Sequence, residues 1–156
     1  MREIIKRLCL GLATGVGVGY LPGAPGTCGT LLAVAIYYFL PKDPVKYLLF
    51  LLMITLAGVY ASSQAAKHFR KPDPSQVVID EMAGFWLTMW TLPPTWLNIT
   101  WGFILFRFFD IVKPFPLKQA EKIKGGTGIM LDDLLAGIYS LGLLKLYHLG
   151  RIFLQK

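Results

Sequence analysis

Two adjacent carboxylates open an apolar segment in the run Gly125-Gly126-Thr127-Gly128-Ile129-Met130-Leu131-Asp132-Asp133-Leu134-Leu135-Ala136-Gly137. Neighbouring like charges repel, and burying either one is costly unless a cation or hydrogen bonds compensate it. A hard divalent metal ion gives that compensation, and Mg²⁺ commonly uses one or two carboxylates. The glycines predict a loop, so we expect the last helix to begin near Leu131, with both acids at its start.

A simpler interpretation of this stretch is helix capping, because Asp is among the preferred N-cap residues. Three glycines before the acids and Gly137 one turn after them favour a functional site instead, since glycine lets another group approach closely. The pair Asp80-Glu81, followed by Gly84, repeats the same arrangement. For that pair alone, capping and metal binding remain open alternatives.

The composition is that of an integral membrane protein. Hydrophobic residues make up 54% of the 156 residues and charged residues only 16%, with a net charge of +7. The basic residues stand in short clusters between apolar runs, which suits anionic lipid head groups better than nucleic acid, so we expect a membrane and no nucleic acid as partners. We expect an all-α, polytopic bundle of about five apolar helices, forming one membrane-embedded domain over residues 1–156.

The apolar runs predict where those helices lie. Residues 1–13 fit an amphipathic helix at the membrane surface, and the glycine- and proline-rich residues 14–30 predict a non-helical loop that lines the site. Apolar helices are then predicted at residues 30–40, 45–66, 77–92, 96–112 and 131–149. The third and fourth of these are short for a hydrocarbon core of about 30 Å.

The distribution of basic residues predicts the orientation of the bundle. If the five apolar runs all cross the membrane, the basic segments 67–71 and 113–124 face the same side as the N-terminus, while Lys42, Lys46, Arg151 and Lys156 face the other side. The positive-inside rule makes the first side cytoplasmic. Both acid pairs and the end of the fourth apolar helix then lie on the cytoplasmic side.

Five acids stand in or against apolar helices, a setting that points to function. They are Asp80, Glu81, Asp110, Asp132 and Asp133. We expect Asp80, Glu81, Asp132 and Asp133 to hold one or two Mg²⁺ ions, with Asp110 a further candidate.

Arg107, Asp110 and Lys113 are spaced three residues apart, so Arg107 and Asp110 share a helix face. A structural ion pair with a lysine at the interface is one interpretation. The functional interpretation is that Arg107 and Lys113 grip a phosphate while Asp110 orients the arginine or reaches the metal.

Three segments resemble the signature sequences of the phosphatidylglycerophosphatase A family. They are Ile79-Asp80-Glu81, residues 106–116 (Phe-Arg-Phe-Phe-Asp-Ile-Val-Lys-Pro-Phe-Pro) and the opening run of residues 125–137. The stretch from Gly15 to Thr30 is similar to the opening loop of that family. The resemblance implies a Mg²⁺-dependent phosphatase of the bacterial inner membrane that converts phosphatidylglycerophosphate to phosphatidylglycerol.

On this hypothesis the catalytic residues are Asp133, Asp110, Arg107 and Lys113. Substrate binding falls to Arg107 and Lys113 together with backbone N–H groups of the N-terminal loop, at Gly26, Thr27 and Thr30. The attacking group could be water or a carboxylate that forms an aspartyl-phosphate.

Two alternatives from other classes remain. One is a small transporter whose intramembrane acids carry a cation, and the other is a CDP-alcohol phosphotransferase. A transporter would need acids near the membrane midplane, and the phosphotransferase would need a wider spacing of aspartates than this sequence has.

Overall fold

The computed structural model describes residues 2–120 and 122–154, and all regular secondary structure in these ranges is helical. These residues form seven α-helices and one short 3₁₀ turn at Val18–Tyr20. The helices are α1 (Arg2–Ala13), α2 (Pro25–Tyr37), α3 (Pro44–Phe69), α4 (Ile79–Thr88), α5 (Trp96–Val112), α6 (Leu117–Ala120) and α7 (Gly126–Leu154). Lys156, which entered the orientation prediction, lies outside the described residues.

The all-helical prediction is confirmed, but several helix boundaries differ: α4 spans Ile79–Thr88 rather than 77–92, α7 ends at Leu154 rather than 149, and two helix starts differ for clear reasons. The loop predicted over residues 14–30 ends at Ala24, because α2 begins at Pro25, and proline suits the first helical position. The last helix begins at Gly126 rather than near Leu131. Glycine is a poor helix former, but here packing decides: a Cβ on Gly126 would lie 1.9 Å from the Val59 carbonyl oxygen of α3.

Helix α4 lies at the centre of the bundle, with every residue except Glu81 and Leu87 buried. It packs against α2, α3, α5 and α7. Two buried hydrogen bonds anchor it: the Trp86 indole N–H donates to the Ala33 carbonyl of α2 at 2.9 Å, and the Tyr47 hydroxyl of α3 donates to the Trp86 carbonyl at 2.8 Å. These bonds give polar groups partners inside an apolar core.

Helices α4 and α7 meet at glycines. A Cβ on Gly137 would lie 2.5 Å from the Gly84 carbonyl oxygen, and a Cβ on Gly84 would lie 2.6 Å from the Asp133 carbonyl oxygen. The two backbones therefore touch directly. Asp80 precedes Gly84 by four residues, and Asp133 precedes Gly137 by four. Because residues four apart share a helix face, this crossing holds one acid of each pair near the other.

The outer surface of the bundle is strongly apolar. Large side chains that are more than half exposed occur on most helices, including Leu56, Trp96 and Ile111. Within the described part of the chain, one helix is long and apolar enough to cross a membrane, α3, and only 28% of its most apolar window is buried. Such a surface is typical of a protein that contacts lipid. The five predicted apolar helices are present as α2, α3, α4, α5 and α7. That all five cross the membrane is not confirmed, because α2 and α4 have only 13 and 10 residues.

We expect Gly137→Ala to destabilise the bundle, because its methyl group would strike the backbone of α4. Overpacking of this kind costs about 1–3 kcal/mol, which lowers the apparent melting temperature in detergent by several degrees. The measurement is thermal unfolding followed by circular dichroism.

Gly142→Ala is the matched control, because it lies in the same helix and nothing approaches its Cβ position within 4 Å. It should leave stability unchanged or raise it through better helix propensity. Equal melting temperatures for the two variants would contradict the crossing described here.

Candidate active site

A cleft of about 390 Å³ opens at the end of the bundle where α2, α4 and α7 begin and α5 ends. Its volume falls within the range of small-molecule sites, roughly 300–1,000 Å³. The cleft is lined by residues predicted as functional from the sequence: Gly26, Thr27, Asp80, Glu81, Arg107, Asp110, Lys113, Asp132 and Asp133. Segments far apart in the chain thus meet at one place.

Three carboxylates converge within this cleft. Asp80, Glu81 and Asp133 each offer an oxygen atom, and these atoms all lie within 4.8 Å of one another. Asp80 and Asp133 are 8% and 3% exposed. Asp80 Oδ1 and Glu81 Oε2 are buried and have no hydrogen-bond partner among the described residues. Buried oxygen donors without partners suit a hard divalent cation such as Mg²⁺, so this cluster could hold a metal.

The electrostatics of the pair on α4 point the same way. Helix α4 has ten residues and is about 15 Å long, so it is too short to cross a bilayer by itself. Burial, and after it the charge of Glu81, raises the pKa of Asp80 well above its usual range. Burial likewise raises the pKa of Glu81. A cation bound between them would favour the charged forms and reverse both effects.

Neither acid pair caps a helix, so the capping alternative is wrong for both. The N-cap of α4 is Val78, which places Asp80 and Glu81 in the first turn. Helix α7 begins six residues before Asp132, so Asp132 and Asp133 lie about two turns into it. Asp80 and Glu81, in the first turn of α4, are still favoured by the helix dipole, which offsets part of the cost of their burial.

Arg107 lies between two of the acids. Its Nη1 is 2.7 Å from Asp110 Oδ2 and 4.0 Å from Glu81 Oε1. The ion pair with Asp110 that the spacing predicted is therefore present, and it lies inside the cleft. Gly26 is essential to this arrangement: a Cβ there would lie 2.2 Å from Glu81 Oε1 and 3.1 Å from Arg107 Nη1.

Lys113 contacts Asp132, the first of the two acids on α7. Its Nζ donates to Asp132 Oδ2 at 2.7 Å, and the other oxygen, Asp132 Oδ1, is buried without a hydrogen-bond partner in the described chain. Lys113 is the C-cap of α5 with a positive φ of 45°, so the chain turns away there and the side chain stays at the cleft wall. Asp132 thus differs from Asp133 in being already paired with a cation.

The start of α2 forms the opposite wall of the cleft. Its N-cap is Ala24, which provides no side-chain acceptor for the first backbone N–H groups. Gly26 and Thr27 line the cleft here, and a helix N-terminus of this kind favours anions. Thr30 lies one turn further along, is fully buried, and donates its hydroxyl to the Gly26 carbonyl at 2.9 Å rather than lining the cleft.

Sequence reasoning missed one acid of the site, Asp73. It stands in the connection between α3 and α4, within Lys71-Pro72-Asp73-Pro74-Ser75, and it lines the cleft together with Ser75. An acid held between two prolines was the available signal, because prolines restrict the backbone on both sides. The predicted basic segment 67–71 ends just before this acid.

Comparison with known proteins adds to this geometry. A family model described as phosphatidylglycerophosphatase A matches residues 11–148. A protein of Bacteroides thetaiotaomicron named "Putative phosphatidylinositol-3-phosphatase" is 42% identical over 139 residues, covering 83% of this chain and 86% of that protein. No solved structure gives a significant match.

Two further relatives carry the family's own name. Phosphatidylglycerophosphatase A of Escherichia coli is 38% identical, with 89% of this chain and 81% of that protein covered. Phosphatidylglycerophosphatase A of Haemophilus influenzae is 39% identical, with 83% and 82% covered. The matches span the acid pairs, the segment from Arg107 to Lys113 and the start of α2, and this chain belongs to the phosphatidylglycerophosphatase A family.

Proposed function

We propose that this protein is a Mg²⁺-dependent lipid phosphatase that hydrolyses the terminal phosphomonoester of phosphatidylglycerophosphate, giving phosphatidylglycerol and phosphate. The observation that carries the proposal is the convergence of Asp80, Glu81 and Asp133 beside Arg107, in a member of this family. The reaction needs a site that neutralises a phosphomonoester next to the lipid surface. The cleft offers acids to hold a metal and cations to hold the phosphoryl oxygens.

The metal ligands in this proposal are Asp80, Glu81 and Asp133, whose oxygens converge, while Asp132 lies beside them and is paired with Lys113. Bound Mg²⁺ neutralises phosphoryl charge and makes attack by water at phosphorus easier. The proposed role of Asp132 differs from that of the other three, because its Oδ2 already accepts a hydrogen bond from Lys113. It therefore links the metal site to the cation beside it.

Arg107 and Lys113 bind the phosphoryl oxygens in this proposal. Guanidinium groups suit phosphate because their donors form a planar fork, and Asp110 at 2.7 Å orients that fork. Gly26 and Thr27, in the first turn of α2, line the same cleft and add the positive end of the helix dipole. Asp110 and Asp133 complete the catalytic set, since both border the place where the phosphomonoester and the attacking group meet.

For the membrane, we propose that α3, α5 and α7 cross the bilayer, with the shorter α2 and α4 packed among them. Their lengths of 26, 17 and 29 residues correspond to about 39, 26 and 44 Å. The cleft end carries the basic segments 67–71 and 113–124, which supports a cytoplasmic position for the site in a bacterial inner membrane.

A second candidate substrate is a phosphatidylinositol phosphate. The relative from Bacteroides thetaiotaomicron is named for such a lipid and is 42% identical to this chain. Both candidates carry a phosphomonoester on a hydroxylated head group, so the same cluster of acids and cations serves either one. Comparing kcat/KM on the two lipids decides between them.

The other functional classes have less support. A cation transporter needs its acids near the middle of the membrane, whereas here they lie at the ends of α4, α5 and α7. The phosphotransferase alternative conflicts with family membership over residues 11–148.

Removal of divalent metal should abolish phosphate release. We expect EDTA to stop the reaction and excess Mg²⁺ to restore it, because the buried acids need a cation to act together. Mg²⁺ should also raise the apparent melting temperature, since a ligand at a hundred times its Kd adds about 2.7 kcal/mol to stability. Full activity in EDTA, with no thermal shift on adding Mg²⁺, would exclude a metal role for the cluster.

Asp133→Asn should lower kcat/KM on phosphatidylglycerophosphate by about a hundredfold or more, because it removes a charged ligand from the cluster. It should also lose the stabilisation by Mg²⁺ described above. The matched control is Glu3→Gln, the same loss of charge on the exposed face of α1, which should keep the parent activity. Activity within tenfold of the parent would remove Asp133 from the proposed site.

A further inference from the structure

A second cavity of about 280 Å³ adjoins the proposed active-site cleft. One wall comes from the α3–α4 connection, at Pro72 and Asp73, and the other from the segment that leads into α7, at Lys122, Lys124 and Gly125. The two cavities share Asp73 and Asp132. Material bound in one is therefore next to material bound in the other.

The chemistry of this side cavity, as we name it, is mixed rather than purely anionic or cationic. Lys122 and Lys124 are exposed and bring two ammonium groups. Asp73 brings a carboxylate, and Asp132, only 7% exposed, brings the buried oxygen Oδ1, which has no hydrogen-bond partner among the described residues. Carboxylates accept hydrogen bonds from hydroxyl groups, while ammonium groups attract phosphate. A ligand that carries both hydroxyls and a phosphate fits this set.

Two glycines line this cavity beside Asp132. Gly125 has a positive φ of 82°, a backbone conformation that side chains rarely adopt, so a substitution there would be strained. Gly128 has no room for a side chain, because a Cβ would lie 1.7 Å from the Ile123 carbonyl oxygen. The backbone of this wall therefore requires glycine at both positions.

The order of groups across the two cavities matches the order of groups along the lipid. In a lipid such as phosphatidylglycerophosphate, the terminal phosphomonoester is followed by a hydroxylated carbon unit and then by the phosphodiester that leads to the acyl chains. The cleft contains the carboxylate cluster and Arg107, both cavities share Asp73 and Asp132, and Lys122 and Lys124 line only the side cavity.

We propose that the side cavity is a head-group subsite, in which Asp73 and Asp132 receive the hydroxyls of the polyol and Lys122 and Lys124 receive the phosphodiester. This inference rests on the proposed function, because it assumes that the phosphomonoester occupies the cleft. The subsite selects lipids in which a polyol separates two phosphates. It also distinguishes glycerol from inositol, because the polyol lies beside the shared residues Asp73 and Asp132.

The test compares substrates with and without the polyol and diester. The full-length protein in detergent–lipid micelles is assayed on phosphatidylglycerophosphate, with phosphatidate as a second substrate or competitive inhibitor, because its only phosphate is a monoester. The double variant Lys122→Ala/Lys124→Ala should lower kcat/KM on phosphatidylglycerophosphate by about tenfold, mainly through KM, because charged hydrogen bonds are lost. The kcat/KM or Ki for phosphatidate should change less than twofold.

The matched control is Lys67→Ala/Lys118→Ala, which removes two exposed lysines from the same end of the bundle but outside both cavities. It should leave kcat/KM on phosphatidylglycerophosphate, and kcat/KM or Ki for phosphatidate, unchanged. Three results would overturn the subsite. They are an equal loss of kcat/KM on both lipids in the test variant, the same loss in the control variant, and an unchanged kcat/KM in the test variant. Failure of the parent protein to release phosphate from any lipid phosphomonoester would instead overturn the proposed function, and the subsite with it.

Discussion

The site depends on the direct contact between the backbones of α4 and α7. At Gly84 and Gly137 there is no space for a Cβ on either helix, so the helix axes come closer than side chains would allow. Because each glycine follows an acid by one turn, this contact brings Asp80 and Asp133 together. The buried packing of α4 against α2 and α3 then holds the crossing in place through Trp86 and Tyr47.

Holding three carboxylates together in this way is electrostatically unfavourable, and nearby positive groups offset part of the repulsion. Asp80, Glu81 and Asp133 would repel one another strongly in a dry interior. Arg107 and Lys113 bring two positive charges from α5, and the first turns of α2 and α4 line the same cleft with the positive ends of their helix dipoles. Several acid oxygens still have no partner among the described residues. In the proposed function, a divalent cation supplies what the protein groups do not.

Much of this site could be predicted from the sequence because its signals are local. The doubled acids, the glycine one turn after each pair, and the three-residue spacing of Arg107, Asp110 and Lys113 are all visible in short windows. What the sequence could not give was tertiary packing. Gly126 lies where α3 leaves no room for a side chain, and Asp132 is paired with a lysine nineteen residues away. Asp73 was missed because its importance comes from its place beside two distant helices.

The position of the cleft at the helix ends has a consequence for how a lipid is handled. A site buried midway along the bundle would require its ligand to leave the bilayer and thread between helices. In the membrane arrangement proposed above, the reacting group need only rise to the rim of the protein, while the hydrocarbon tails stay among their neighbours. Encounters then occur by lateral diffusion in two dimensions, and the freed inorganic phosphate escapes directly into water. The same geometry would let a newly made lipid pass from one membrane enzyme to the next without crossing the aqueous phase.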